Sequence, residues 1–162
     1  MDEAAKKKAL RMIPYGLYVL TSKSKDGSEV AAATINWVTQ TSFHPPLVVV
    51  GVKGDSSVHG CIQDSGVFAV NVIGKEQKDI AFAFFKHNKA QHGHSISDHR
   101  YDSGPATGAP LIAACPAWWE CKLVGQVDKG DHTVFVGEVL EAGVRRDDHT
   151  ILMRDHNLNY GG

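Results

Sequence analysis

Two titratable side chains stand together at the start of an expected strand. Asp131 and His132 follow Gly130 in the segment GDHTVFVGEV, residues 130–139. The alternating apolar residues after His132 predict a β-strand, because side chains of a strand point to its two faces in turn. An imidazole beside a carboxylate at this position belongs either to a binding site or to a solvated turn. Spacing alone favours the turn.

A second group of polar side chains alternates along ATINWVTQTSFHPP, residues 33–46. Simple solvent exposure would explain one polar strand face, but Trp37 lies in this stretch and the rigid pair Pro45 and Pro46 leads into the apolar run LVVVGV. We therefore expect the polar face to adjoin the core, where it could donate hydrogen bonds to a polar heteroaromatic ring. Its members are Thr34, Asn36, Gln40 and Ser42.

A candidate anion site follows the apolar run. Lys53 precedes DSSVHGCIQDSG, in which Asp55, Ser56 or Ser57 can cap a short helix that Gly66 ends. The free N–H groups at a helix start attract anions, and a neighbouring lysine adds charge and donors. A capped helix with a surface lysine explains this segment equally well by itself. Combined with the polar face, it would anchor the phosphate of a ring-bearing ligand.

The elements that must position these groups are mostly strands. An Asp-Gly pair between two β-branched runs predicts a hairpin at residues 25–28. PPLVVVGVK, residues 45–53, predicts a strand that starts at the proline pair and is covered on both faces. Many strands with a few short helices predict a β-barrel or sandwich. We expect helices in the first dozen residues, 55–66 and 76–86, and further strands at 67–73, 111–115, 117–127, 133–144 and 150–154.

Residues 87–110 form a long polar segment rich in glycine, histidine and serine. Loops of this length are uncommon inside a compact domain and are usually lids, binding loops or partner arms. A solvated loop explains its histidines more simply than a metal site, because their spacing matches no known ligand frame. We expect no metal at the four histidines, His87, His92, His94 and His99.

Composition argues against several classes of function. The chain of 162 residues suits one domain, and its net charge of -1 gives no general attraction for nucleic acid or anionic membranes. No apolar run is long enough to span a membrane, and the N-terminal residues lack the apolar core of a signal peptide, so we expect a cytoplasmic protein with reduced cysteines. Fingerprints of Rossmann folds, P-loops, hydrolases and zinc proteases are absent.

Four segments, in their order along the chain, resemble the flavin reductase-like family of FMN-binding split barrels: YGLYVLTS, AAATINWVTQTSFHPPLVVVGVK, SGVFAVNVI and GDHTVFVGEV. The most specific parts are T-x-N followed by S-x-x-P-P, and G-D-H followed by F-x-G-E-V. The resemblance implies one flavin reductase-like domain over residues 1–162, folded as a mainly β Greek-key split barrel with a few short α-helices. It also implies a homodimer with one FMN per subunit near the interface.

The same resemblance assigns a flavin-binding role to the polar stretch. The strand from Thr34 to Ser42 would hold the isoalloxazine and ribityl groups largely through its backbone. Trp37 would lie near the flavin, where many relatives carry a smaller residue, and would narrow the space above the ring. The side chains expected to contact FMN in this strand are those of Thr34, Asn36, Gln40, Thr41 and Ser42.

Roles for the other two segments also follow from the resemblance. Lys53, Ser56 and Ser57 would bind the FMN phosphate, in agreement with the helix-start argument. In NADH-using members the G-D-H turn lies where the nicotinamide stacks, so His132 would orient that ring and Asp131 would fix the turn. Hydride transfer requires alignment rather than a protein acid or base, so His132 would act by positioning.

Three functions remain possible at this point. The first is an NAD(P)H-dependent FMN reductase, which could supply a partner monooxygenase; the lack of an arginine cluster for a 2′-phosphate favours NADH over NADPH. The second is an FMN-containing electron carrier that a protein partner reduces. The third is a flavin-free barrel with a structural role. The G-D-H turn favours the first.

Overall fold

The computed structural model describes residues 1–85, 88–89 and 94–161, with the backbone alone described at 88–89. Strands dominate, and no helix in this part of the chain has the length and apolarity needed to cross a bilayer. The helices are α1 Glu3–Leu10, α2 Ser57–Ser65, α3 Lys78–Ala83 and a 3₁₀ turn at Met153–His156. The strands are β1 Tyr18–Lys23, β2 Val30–Ile35, β3 Val38–Ser42, β4 Leu47–Lys53, β5 Val67–Val72, β6 Asn88–Lys89, β7 Ser95–Ile96, β8 His99–Ser103, β9 Pro110–Ile112, β10 Ala117–Val127 and β11 His132–Val144.

Eight strands form one sheet in the order β3-β4-β11-β10-β5-β1-β2-β6. β2 and β3 are joined only by Asn36 and Trp37, yet they lie near opposite edges of this sheet. Because so short a link reaches only about 10 Å, the sheet must curl until the two edges approach each other. β2 and β3 do not pair with each other within the described residues, so the barrel is left open there. This mainly β, unclosed sheet agrees with the predicted split barrel.

Two large apolar clusters share the curled sheet, beside a small third one of Ala69, Ala109 and Leu111. In one, α2 packs its buried face, including Val58 and Ile62, against the fully buried rings of Phe68 and Phe135. The other cluster joins α3, the small sheet β7-β8-β9 and residues 151–153. Truncating a buried phenylalanine typically costs about 3–5 kcal/mol. The residues between these clusters are therefore held on well-packed elements.

Two predictions of local geometry are confirmed. β1 and β2 form the expected hairpin, in which Gly27 has a φ of 74° and neighbouring serines donate hydrogen bonds to Asp26 that lower its pKa to about 2. α2 begins after Ser56, whose hydroxyl accepts the His59 N–H at 3.3 Å, and ends at Gly66 with a φ of 71°. Both features depend on contacts between residues close in the chain, so the sequence indicates them directly.

The polar stretch of residues 34–42 forms two strands and not the single strand expected. β2 ends at Ile35 and β3 begins at Val38. At the break, the Trp37 carbonyl accepts the Gly51 N–H at 2.9 Å, which directs the chain from one edge of the sheet to the other. Polar residues before and after the break therefore face different surroundings, although they alternate regularly in the sequence.

Predictions for three other segments were wrong in part; the strand predicted at residues 45–53 is present as Leu47–Lys53, but its start and its two covered faces are not as expected. Pro45 and Pro46 lie in the turn between β3 and β4, because the antiparallel pair must reverse there, and β4 fully buries only one face. The expected loop of residues 87–110 contains β7 and β8, joined by a tight turn in which Ser97 and Asp98 have positive φ. Residues 150–154 make only isolated bridges and the start of the 3₁₀ turn.

Candidate functional site

A pocket of about 520 Å³ lies beside the break between β2 and β3. Its walls come from β2, the end of β4, the first turn of α2, the residues after α3, and residues 158–160. Most of its surface is apolar, with polar side chains at a few points. Pockets of this size and composition are typical of small-molecule sites.

One side of the pocket is lined by Lys53, Ser56, Ser57 and Val58, and we name residues 53–58 the phosphate segment after the role expected of it from the sequence. Lys53 Nζ lies 3.1 Å from Asp55 Oδ2, and both side chains are more than half exposed. The Ser56 hydroxyl donates to the Lys53 carbonyl at 2.8 Å and caps the helix. The N–H groups of Ser57 and Val58 have no acceptor within the helix, because they belong to its first turn. The segment therefore offers amide donors and a cation to an anion, and the exposed ion pair is weak enough to exchange.

Another wall is the end of β2. Thr34 Oγ1 donates to the Ala81 carbonyl at 2.7 Å, which ties the strand to α3. Asn36 is buried, and its Nδ2 lies 3.2 Å from the Met153 sulfur. A thioether is a weak acceptor. The Asn36 amide can therefore exchange this contact for a better acceptor on a ligand at little cost.

Three rings from distant parts of the chain meet at the pocket, and we call Trp37, His132 and Tyr160 the aromatic cluster. The centroid of the Trp37 ring lies 4.6 Å from that of His132 and 5.6 Å from that of Tyr160. Trp37 packs on the backbone of Gly51, and its indole N–H is buried without a hydrogen-bond partner in the described residues. The cluster forms because Trp37, in the link between β2 and β3, packs on Gly51 of β4, while His132 begins β11, which pairs with β4.

His132 is held by hydrogen bonds at both ring nitrogens. Nδ1 lies 2.9 Å from Asp131 Oδ1, and Nε2 lies 2.9 Å from the Tyr160 hydroxyl oxygen. The hydrogen bond from His132, followed by the charge of the same ring, lowers the pKa of Asp131. Burial raises the pKa of Tyr160, so its hydroxyl keeps its proton. The carboxylate accepts only, so a neutral ring carries its proton on Nδ1 and accepts the Tyr160 hydroxyl at Nε2.

The expected site residues fall into two groups. Five do not line the pocket, and three of these, Gln40, Thr41 and Ser42, lie on β3, beyond the break in the chain. Trp37 packs behind His132, and the exposed Asp131 contacts the same ring from outside the pocket. The pocket brings together six of the expected residues, Thr34, Asn36, Lys53, Ser56, Ser57 and His132.

Other lining residues gave no signal in the sequence. The helix predicted at residues 76–86 ends at Ala83, so Phe84 and Phe85 follow it, and the half-exposed Phe85 lines the pocket. Residues 158–160, within the polar sequence NLNYGG, close one side of it. Tyr160 reaches His132 from 28 positions away, so no local pattern could have placed it there.

The histidines considered as metal ligands do not form a site in the described residues. No group of three or more histidine, cysteine, aspartate or glutamate side chains there has a metal-binding arrangement. The rings of His94 and His99 pack against those of Tyr101 and Phe84, with centroids 5.3 and 5.4 Å apart. His87 and His92 lie outside the described residues.

Known proteins resemble this chain over almost its whole length. The family model described as flavin reductase like domain matches residues 10–161. The ferric-chelate reductase (NAD(P)H) of Archaeoglobus fulgidus is 30% identical over 93% of this chain and 88% of that protein. The structure of the Streptomyces globisporus NADH:FAD oxidoreductase SgcE6 matches with a TM-score of 0.79 and 31% identity, covering 93% of this chain and 88% of the other. BorF, the flavin reductase component of a bacterial two-component tryptophan halogenase, matches with a TM-score of 0.75 and 28% identity over 93% and 92% of the two chains.

Proposed function

The chain belongs to the flavin reductase-like domain family, and on this premise we propose that it is an NAD(P)H-dependent flavin reductase whose flavin occupies the 520 Å³ pocket. The observation that carries the proposal is that one pocket joins a helix start with free N–H groups beside Lys53 to a histidine held at both ring nitrogens. A flavin, when bound, supplies the redox chemistry by accepting a hydride on its own ring system. The protein contributes binding and alignment.

We propose FMN as the flavin, with its phosphate on the phosphate segment. Ser57 and Val58 would donate backbone N–H groups, and Lys53 would leave Asp55 to bind the phosphate oxygens. Asn36 would contact the ring system from the β2 wall. The mostly apolar remainder of the pocket suits the dimethylbenzene side of a flavin and excludes water from it.

His132 would act as a positioning residue for the nicotinamide. Its ring is largely shielded on the Trp37 side, and Asp131 holds it through Nδ1. A ring fixed in this way can orient the nicotinamide above a flavin without taking a proton. Alignment of bound reactants is a large part of catalysis when the chemistry belongs to the cofactor. NADH is the proposed donor, because no arginine cluster suited to a 2′-phosphate was found in the sequence.

The fate of the reduced flavin is part of the proposal. We propose that it passes to a partner monooxygenase or related enzyme, an idea supported by the resemblance to a reductase component of a two-component halogenase. The resemblance to a ferric-chelate reductase favours a second acceptor, a ferric complex. Comparing anaerobic reoxidation by ferric chelate of the reduced protein and of free reduced FMN separates the two, because only the second predicts that the protein accelerates this reaction.

We propose that the active form is a homodimer of a single domain spanning residues 1–162, located in the cytoplasm. β10 and β11 carry exposed apolar side chains, and Val127 and Val134, 53% and 40% exposed, are cross-strand partners. Such a pair is a natural contact for a second subunit. Light scattering should give about twice the 17.6 kDa mass of the chain. A monomer that still binds flavin would exclude this assembly.

The decisive test of the function is anaerobic stopped-flow absorbance of FMN-loaded protein mixed with NADH or NADPH. We expect rapid bleaching of the flavin, slowed by about ten- to hundredfold in His132→Ala because alignment is lost, with FMN affinity unchanged. His149→Ala, which changes an exposed histidine outside the pocket, is the matched control. Bleaching by dithionite but by neither nucleotide would instead identify an electron carrier reduced by a protein partner.

A further inference from the structure

We propose that Tyr160 belongs to the nicotinamide site. Its hydroxyl forms the hydrogen bond to His132 Nε2 that a polar group of the nicotinamide forms when the nucleotide is bound. This inference rests on the proposed function. It makes Tyr160 a positioning residue that sets the KM for the nucleotide: the tyrosine holds the histidine ready in the absence of substrate, and the nucleotide must displace it.

The first argument is a count of hydrogen-bonding positions. An imidazole has two ring nitrogens, and both are in use, Nδ1 with Asp131 and Nε2 with Tyr160. The Asp131 side chain is 93% exposed and lies outside the pocket wall, so it does not compete with a ligand inside. A nicotinamide carboxamide that bonds to His132 from the pocket can therefore do so only where the Tyr160 hydroxyl now lies.

The second argument is the position of the tyrosine ring. Tyr160 lines the pocket, and its ring contacts the other two rings of the aromatic cluster, those of Trp37 and His132. Its ring, like a nicotinamide, is flat and six-membered and carries a polar group at its edge. The aromatic cluster thus already contains one ring of the kind that the substrate would bring, at hydrogen-bond distance from the positioning residue.

The third argument is that the segment carrying Tyr160 is lightly attached. Leu158 packs against the core, and its N–H donates to the Met153 carbonyl at 3.0 Å, which anchors the start of the segment. Beyond it, the described contacts of the tip include the bond from Arg11 Nε to the Gly161 carbonyl at 3.2 Å and the bond from Tyr160 to His132. Tyr160 is 46% exposed. Since the net contribution of one hydrogen bond is small, a bound nucleotide can replace the Tyr160 hydroxyl at His132 Nε2.

The expected consequence is a lower KM when the competing bond is removed. Tyr160→Phe keeps the ring and deletes the hydroxyl, so we expect the KM for NADH to fall about two- to tenfold, the equivalent of one hydrogen bond, with kcat within about twofold. Arg11→Ala should also lower the KM for NADH, but by less. It removes the hydrogen bond to the Gly161 carbonyl and so loosens the tip, while the bond between Tyr160 and His132 remains. Tyr101→Phe removes a tyrosine hydroxyl from β8, outside the pocket, and should change neither value.

The test uses two readouts on the full chain. Calorimetric titration with NAD⁺ measures nucleotide binding without turnover, and initial rates with NADH give KM and kcat separately. Tighter NAD⁺ binding and a lower KM in Tyr160→Phe support the inference. An unchanged or weaker affinity for NAD⁺ in that variant, while the wild type turns over normally, overturns the inference and leaves the proposed function intact.

If the wild type binds NAD⁺ but transfers no hydride, only the proposed function is overturned. The NAD⁺ affinities of the wild type and of Tyr160→Phe then still decide the role of Tyr160. A wild type that binds neither nucleotide overturns both.

Discussion

The phosphate segment and the aromatic cluster meet at a single pair of strands, because Lys53 and His132 are cross-strand partners on β4 and β11. They are nevertheless built in different ways. The phosphate segment is six consecutive residues whose geometry follows from a helix start, whereas the aromatic cluster joins rings at positions 37, 132 and 160. One half of the pocket thus depends on local geometry and the other on the whole fold.

The contacts that support the two halves of the pocket are also local in one half and long-range in the other. Ser56 caps the phosphate segment and bonds to Lys53, so the segment largely holds itself. The aromatic cluster depends on contacts between distant parts of the chain, because Trp37 packs on Gly51 of β4 and Tyr160 bonds to His132. We therefore expect changes in the phosphate segment to affect flavin binding alone, and changes in the cluster to affect the nucleotide.

The largest expected effect is that of Lys53→Ala on FMN affinity. Removing a charged hydrogen-bond donor to phosphate costs about 1.5–3 kcal/mol, so the Kd for FMN should rise about ten- to hundredfold. Riboflavin lacks the phosphate, and its Kd should not change. Fluorescence titration with both flavins measures this, with Lys122→Ala, an exposed lysine on β10, as the control. If the variant weakens riboflavin as much as FMN, Lys53 does not bind the phosphate.

An intermediate effect is expected from Gly51→Ala on the aromatic cluster. An added Cβ would lie 2.9 Å from the Trp37 ring, so this ring must move and its contact with His132 must change. We expect a loss of about 1–2 kcal/mol in the free energy of unfolding and a higher KM for NADH, with an unchanged Kd for FMN. Gly125→Ala is the matched control, because its Cβ would meet nothing closer than 3.8 Å. A larger change in FMN binding than in KM would show that the two halves are not separate.

The smallest expected effect concerns Asp131 and pH. Its pKa is lowered in the folded protein, chiefly by the hydrogen bond from His132, so its contribution to stability is present above the unfolded value near pH 4 and disappears as the pH falls through the folded pKa. Asp131→Asn should therefore lower the Tm slightly at pH 6 and leave it equal to that of the wild type in strong acid. Asp128→Asn, in the same turn, is the control. A difference that persists in strong acid would rule out the carboxylate as its source.

Much of the fold could be predicted from the sequence where it depends on contacts between neighbours in the chain. The errors lie where contacts with distant residues decide the structure. The β1–β2 hairpin, the caps of α2 and the alternation of β11 depend on neighbours in the chain, and the structure confirms them. The polar stretch of residues 34–42 failed as one strand because the Trp37 carbonyl bonds to Gly51, a partner that alternation does not specify. Residues 95–103 failed as a loop because pairing with β9 compensates for their polar composition.

The sequence by itself determined the family, the strand-rich architecture and the capped start of α2 beside Lys53, since a helix cap and its flanking lysine occupy only six positions and hold their geometry locally. Only the tertiary structure decided that Gln40, Thr41 and Ser42 lie away from the pocket and that Tyr160 lies on His132. The position of a side chain relative to one 28 residues away depends on every backbone angle between them and on the packing that fixes those angles. No local pattern contains that information.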